Sequence, residues 1–221
     1  MTTVSPKAAG DAGSVPDTVP EPASSGTAAG TVPGQRLLGW VLTVCGSVGL
    51  VAAFVLMVEK LRLLTNPFYV PSCSLSEAVN CTAVMQSDQA TVFGFPNPLL
   101  GLAGFAVVVT VGVVLLTGAG RELPGWFWLG LQAGVTFGVV FVTWLMTQTL
   151  FSIRAICPYC VVVWVVTIIA FCFVTAANAV AGRFGAGLAR AVPAGVVVPA
   201  GVAAIWLVTI GVLSVAVASG W

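Results

Sequence analysis

Five apolar runs leave this chain few folds to choose from. They cover about 37–58, 98–117, 126–151, 156–177 and 196–218. About 20 consecutive apolar residues cross a bilayer as a helix. Only 7% of the 221 residues are charged and 58% are hydrophobic, where soluble domains carry roughly 25% charge. The expected fold is an all-α membrane protein, a four-helix transmembrane bundle followed by a fifth transmembrane helix.

The remaining segments are punctuation. Residues 1–34 are rich in Ala, Gly, Ser, Thr and Pro. They hold too little apolar surface to fold and read as a disordered tail. No basic segment leads into an apolar core there, so a cleavable signal peptide is not expected. Residues 35–180 read as the catalytic bundle, with a polar loop over 59–97 and a short helix near Ser76–Met85. Residues 181–221 read as a connector and the fifth helix, and no internal repeat is visible. The formal net charge is +1, which gives no basic surface for nucleic acid. There is no His, so the commonest general base and metal ligand are missing.

Chemistry therefore falls to the cysteines. Cys157-Pro158-Tyr159-Cys160 opens the fourth run, and a C-x-x-C pair is a redox or metal signal. Cys73 and Cys81 lie in the long loop. Two crossings separate that loop from Cys157, so all four share one face of the membrane. Arg36, Arg121, Arg183 and Arg190 fall on the other face, and Lys60, Arg62 and Arg154 on the cysteine face. Four against three, by the positive-inside rule, points the cysteines out of the cytoplasm, where disulfides persist. The expected setting is a multi-pass protein of the cell membrane with an extracytoplasmic catalytic face.

Reach does not limit the two pairs, since the loop can extend on the order of 120 Å. Thiol–disulfide exchange needs an attacking thiolate, an accessible disulfide and a resolving thiol, and two pairs on one face supply them. Cys157, at a helix N-terminus, is favoured as a thiolate by free N–H groups and the helix dipole. Arg154 either adds to that effect or simply snorkels to the interface. Cys160 lies a turn deeper, where a lipid-soluble oxidant such as a quinone would meet it. The ring closed by Cys73 and Cys81 would contribute roughly 2–3 kcal/mol, modest enough for repeated opening. Cys45 and Cys172 sit mid-span and read as small buried hydrophobes. Four thiols could instead hold a metal or serve a transporter. The 76-residue gap and the depth of Cys160 argue against that. The site carries no expected metal.

The order of these features is specific. A C-x7-C loop (Cys73, Cys81) precedes Ser87, then Phe93-Gly94-Phe95-Pro96-Asn97 opens the second span, and C-P-Y-C opens the fourth. Over about residues 36–178 this resembles bacterial homologues of vitamin K epoxide reductase, quinone-coupled membrane enzymes that form disulfides. The DsbB-like quinone reductases resemble it in chemistry but carry their C-x-x-C pair first. The resemblance implies that Cys160 meets the quinone (menaquinone or ubiquinone) and that Cys157 is its partner. It implies that Cys81 bridges to Cys157 and that Cys73 faces the partner protein. It also implies cofactor contacts from Ser87, Phe93, Asn97 and Trp164. Three of these have a plainer reading: a loop serine for Ser87, a helix N-cap for Asn97, core or lipid packing for Trp164. Many bacterial relatives carry a fused thioredoxin-like domain, whereas this chain ends at Trp221. The expected partner is a separate extracytoplasmic thioredoxin-fold, DsbA-like protein, with electrons leaving through the membrane quinone pool. The net role would be disulfide formation in exported proteins.

Overall fold

The computed structural model describes residues 1–2, 33–66, 68–74, 76, 78–185, 187 and 197–218. The expected tail lies almost wholly outside them, as do Arg190 and the chain end. α1 covers Pro33–Thr65, α2 Cys81–Gln86, α3 Pro98–Leu116, α4 Gly125–Thr147, α5 Pro158–Val180 and α6 Val197–Ala218. A π-helical turn, Gln148–Ile153, prolongs α4. Four helices are long and apolar enough to cross a membrane: α1, α3, the prolonged α4 and α5. The fifth apolar run forms α6, within which Val197–Leu213 is an apolar stretch.

α1 exceeds its sequence expectation. Its 33 residues rise about 50 Å, well beyond a hydrocarbon core of about 30 Å. The loop expected from residue 59 therefore starts after Thr65. Glu59, Lys60 and Arg62 are good helix formers, and Leu56, Glu59, Lys60 and Leu63 form one buried face. Pro67, lacking an N–H and restricting Asn66, follows the last helical turn.

α1 packs on α3 and α5, α4 on α5, and α6 on α5. Close approach of α1 and α3 rests on missing side chains. A Cβ at Gly112 would lie 2.5 Å from the Thr43 backbone nitrogen, and one at Gly46 would lie 2.9 Å from that of Val109. Such small-residue contacts replace the hydrophobic drive that lipid cannot supply. One end of the bundle is cored by Leu42, Leu115, Trp128 and Val174. There Asn178, fully buried, donates to Gln132 Oε1 at 2.9 Å and accepts from Arg183 at 3.1 Å. Arg183 also lies 4.6 Å over the Trp128 ring. Cys45 and Cys172 are buried free thiols among apolar neighbours.

The candidate redox site

The other end is cored by sulfur. Cys73, Cys81 and Cys157 pack with Leu56, Leu63 and Met85, and Tyr159 and Cys160 cover them. Local chemistry builds the loop side. Asn80 caps α2, its Oδ1 accepting from the Ala83 N–H at 3.1 Å and from Ser74 Oγ at 3.3 Å. Ser74 Oγ in turn accepts from the Thr82 N–H at 3.2 Å. That stitching holds the ring closed by the Cys73–Cys81 disulfide. The helix expected near Ser76–Met85 is thus shorter, beginning at Cys81, because Asn80 supplies its N-terminal acceptor.

A parallel β-bridge between Val79 and Ile156 fastens loop to bundle. Ile156 N–H donates to Ala78 O at 2.8 Å, and Asn80 N–H to Ile156 O at 3.1 Å. Two residues earlier Arg154 adopts a left-handed conformation with φ 55°, a geometry uncommon outside glycine. It turns the chain from the π-helical segment into the bridge. The residues following the two bridge strands are therefore neighbours, and Cys81 Sγ lies 3.2 Å from Cys157 Sγ. Both cysteines are fully buried. Since Cys81 is already in a disulfide, this is a free thiol held against an S–S bond.

A cavity of about 730 Å³ opens from the sulfur cluster between α3, α4 and α5. Its wall includes Cys160, Trp164, Asn97, Ser87 and Lys60. Gly104, Gly130 and Gly134 also line it, and a Cβ on any of them would meet open space.

A family model, that of the vitamin K epoxide reductase family, matches residues 40–176, more than half of the 221 residues. The chain belongs to the vitamin K epoxide reductase family. Comparison with curated proteins returned no match. The matched region begins inside α1 and ends inside α5, so it encloses every residue of the sulfur cluster and leaves α6 outside. Family membership makes this a membrane oxidoreductase, and the two cysteine pairs expected from sequence lie within the matched region.

The reductase-family residues do not all sit as expected. Cys73 is only 6% exposed, so it is not open to a partner with the loop in this position. Burial follows from the ring itself, since the disulfide to the fully buried Cys81 draws Cys73 inward. Asn97 does not cap α3 with its side chain. Nδ2 donates to Gln89 O at 2.7 Å, and Oδ1 is buried without a partner. Ser87 Oγ donates to Val84 O at 2.8 Å and closes the end of α2. Trp164 is buried in the cavity wall. Phe93 is half-exposed and lies outside that wall; it packs on Phe141, centroid to centroid 5.6 Å, and Phe141 lines the cavity. Sequence reasoning missed Glu59 and Lys60, although their three- and four-residue spacing from Leu56 and Leu63 marks them as inward-facing.

Cys157 is the tuned thiol. A hydrogen bond from the Cys160 side chain draws its pKa below the ordinary cysteine value. Burial opposes that shift, while the N–H groups of Cys160 and Tyr159 at the helix N-terminus reinforce it. A lowered pKa keeps the nucleophilic thiolate available to lower pH than an ordinary thiol allows. Exchange should therefore fall only as pH drops through that lowered value. We expect Cys160→Ala to move the midpoint of Cys81–Cys157 exchange upward, and Cys160→Ser to move it less, since Ser keeps a donor. Rapid acid quench across a pH series measures both; an unmoved midpoint in Cys160→Ala would assign the tuning elsewhere.

Among the described residues, Cys73, Cys81 and Cys157 have sulfurs within 4.8 Å of one another. Two of them are joined to each other, so the trio offers one thiolate rather than a metal's ligand set.

Proposed function

We propose that the protein carries electrons from an extracytoplasmic thioredoxin-fold dithiol, through Cys73/Cys81 and then Cys157/Cys160, to a membrane quinone, and so supports disulfide formation in exported proteins. The observation that carries this reading is the 3.2 Å contact between the Cys157 thiol and the Cys81 side of the loop disulfide. At that separation exchange needs no large movement of either sulfur.

The partner's thiolate attacks Cys73, which requires the loop ring to lift from its buried position. Cys81 leaves as thiolate and attacks Cys157 of a Cys157–Cys160 disulfide, releasing Cys160. Cys73, freed as the partner's own disulfide closes, then reopens the Cys81–Cys157 link and recloses the loop. The resulting state has a closed loop pair and both α5 thiols free. In it the electron pair resides beside the cavity.

The cavity suits a quinone. Its volume falls within the roughly 300–1,000 Å³ of small-molecule sites, its wall is largely apolar, and the glycines leave width for a flat ring. Asn97 keeps one uncommitted Nδ2 hydrogen, which would donate to a quinone carbonyl. A bound quinone would supply the two-electron oxidant. Cys160 would face it, Trp164 and the apolar wall would exclude water, and Asn97 would orient it.

Filling the cavity tests this reading. Gly134→Ala should behave as wild type, since a Cβ there meets nothing within 4 Å. Gly134→Phe should raise the KM for quinone about tenfold or more, the effect of losing roughly 1.4 kcal/mol of binding, while the Cys81–Cys157 exchange stays intact. Equal quinone kinetics for the Gly134→Phe variant and wild type would move the oxidant out of this cavity.

A further inference from the structure

α1 carries a buried cation that the cysteine relay does not use. Lys60 is 9% exposed and its neighbour Glu59 6% exposed. A buried ammonium is costly unless it is partnered. Lys60 Nζ donates to Met85 O at 2.5 Å, which occupies one of its three donors. Among the described residues no carboxylate lies within 4 Å of Nζ; Glu59 Oε1 instead lies 4.0 Å from Arg62, and Glu59 Oε2 is unpartnered. The Lys60 side chain lines the same cavity as Cys160 and Asn97. It is the only cationic residue of that wall among the described residues.

Proton balance says what such a group could do. Oxidising a Cys157 thiolate and a Cys160 thiol to a disulfide releases two electrons and one proton. Full reduction of a quinone takes two electrons and two protons. One proton must come from elsewhere, and an ammonium in an apolar cavity is an acid in the right place. Resting on the quinone reading above, we propose that Lys60 donates this second proton to the ring oxygen as the α5 disulfide forms. It is then reprotonated from water at the outer end of α1, where Arg62 is exposed.

A plainer role competes. Lys60 also holds a carbonyl in the last turn of α2, and a cation there complements the helix terminus. Two variants separate the roles. Lys60→Gln keeps a donor for Met85 O and loses the charge. Lys60→Arg keeps donor and charge but cannot release a proton, because guanidinium stays protonated in proteins. The first readout is independent of turnover. The probe 2-hydroxy-1,4-naphthoquinone changes colour on ionisation and is titrated bound to the purified protein. A cation in the wall should hold the bound probe's acidity roughly tenfold higher in wild type and Lys60→Arg than in Lys60→Gln. The second readout is quinone reduction, expected to be at least about tenfold slower in Lys60→Arg than in wild type, within the range for losing a general acid.

Identical probe titrations in wild type and Lys60→Gln, or wild-type turnover in Lys60→Arg, would overturn the assignment while leaving the quinone cavity standing. If Lys60→Gln does not fold, the turnover of Lys60→Arg still decides. A wild-type protein that neither binds the probe nor reduces any quinone would defeat the underlying reading instead.

Discussion

A Cys160→Ser chain should lose quinone-linked oxidation of a partner dithiol by on the order of 10³-fold or more, since members of a reacting unit fail together. The reason is geometric. Cys160 lines the cavity, while Cys157 is sealed beneath the loop. Without Cys160 the Cys157 thiol keeps its contact with Cys81, so exchange between loop and α5 continues. With no α5 disulfide possible, the Cys157 thiolate can only attack the loop disulfide at Cys81 and free Cys73. Lacking the Cys160 thiol that resolves it toward an α5 disulfide, the Cys81–Cys157 link should accumulate instead of turning over. The pairing of these outcomes is diagnostic: activity disappears while the mixed link increases. Full activity in Cys160→Ser would mean that electrons leave by another group.

The second large effect should come from a residue with no redox chemistry of its own. Ile156→Pro removes the N–H that donates to Ala78 O at 2.8 Å. It also restrains Ala155, next to the left-handed Arg154. Losing this half-buried hydrogen bond and leaving its acceptor unpaired costs about 1–2 kcal/mol. That is enough to reduce the docked loop, and with it the yield of Cys81–Cys157 link, by about tenfold. Quinone binding should be unchanged, because Ile156 is not part of the cavity wall. Ile156→Ala keeps the N–H and should retain most of the link despite its smaller side chain. Non-reducing peptide mapping of the three proteins reads the difference. Equal yields would show that the bridge does not position the loop.

The contrast between Cys160 and Ile156 explains which parts of the site were legible in sequence. Thiols at C-x-x-C spacing announce their chemistry by residue type, and crossing parity brings two distant pairs to one end of the bundle. Span lengths follow from apolar run lengths. The bridge that sets the sulfur separation is made of backbone, and nothing about Val79 or Ile156 as residue types reveals it. Asn80 as a cap could have been found, since Asn before a short apolar turn is a standard start signal. Charge misled the reading of α1. Glu59, Lys60 and Arg62 looked like the end of a span, but helix propensity carries them on to Thr65. The four-residue step from Leu56 to Lys60 turns that charge inward.

The residues taken from family resemblance divide along similar lines. Asn97, Ser87 and Trp164 reach the cavity wall, each lying directly against the spans that enclose it. Phe93 sits in the exposed turn before α3 and reaches the wall only through Phe141. Cys73 is the larger departure. A loop position suggests exposure, but a short disulfide ring tied to a buried cysteine is drawn in with it. In the proposed relay, access by a partner would depend on how readily the loop lifts, a property that residue types do not encode.

Electron flow in this scheme depends on the loop pair and the α5 pair exchanging directly, through Cys81 and Cys157. Acid-quenching the wild-type protein during turnover with a reduced thioredoxin-fold partner and quinone, alkylating free thiols and mapping disulfides puts that step on view. A transient peptide joining Cys81 to Cys157 is the predicted result. Finding only Cys73–Cys81 and Cys157–Cys160 bonds at every quench time would contradict it.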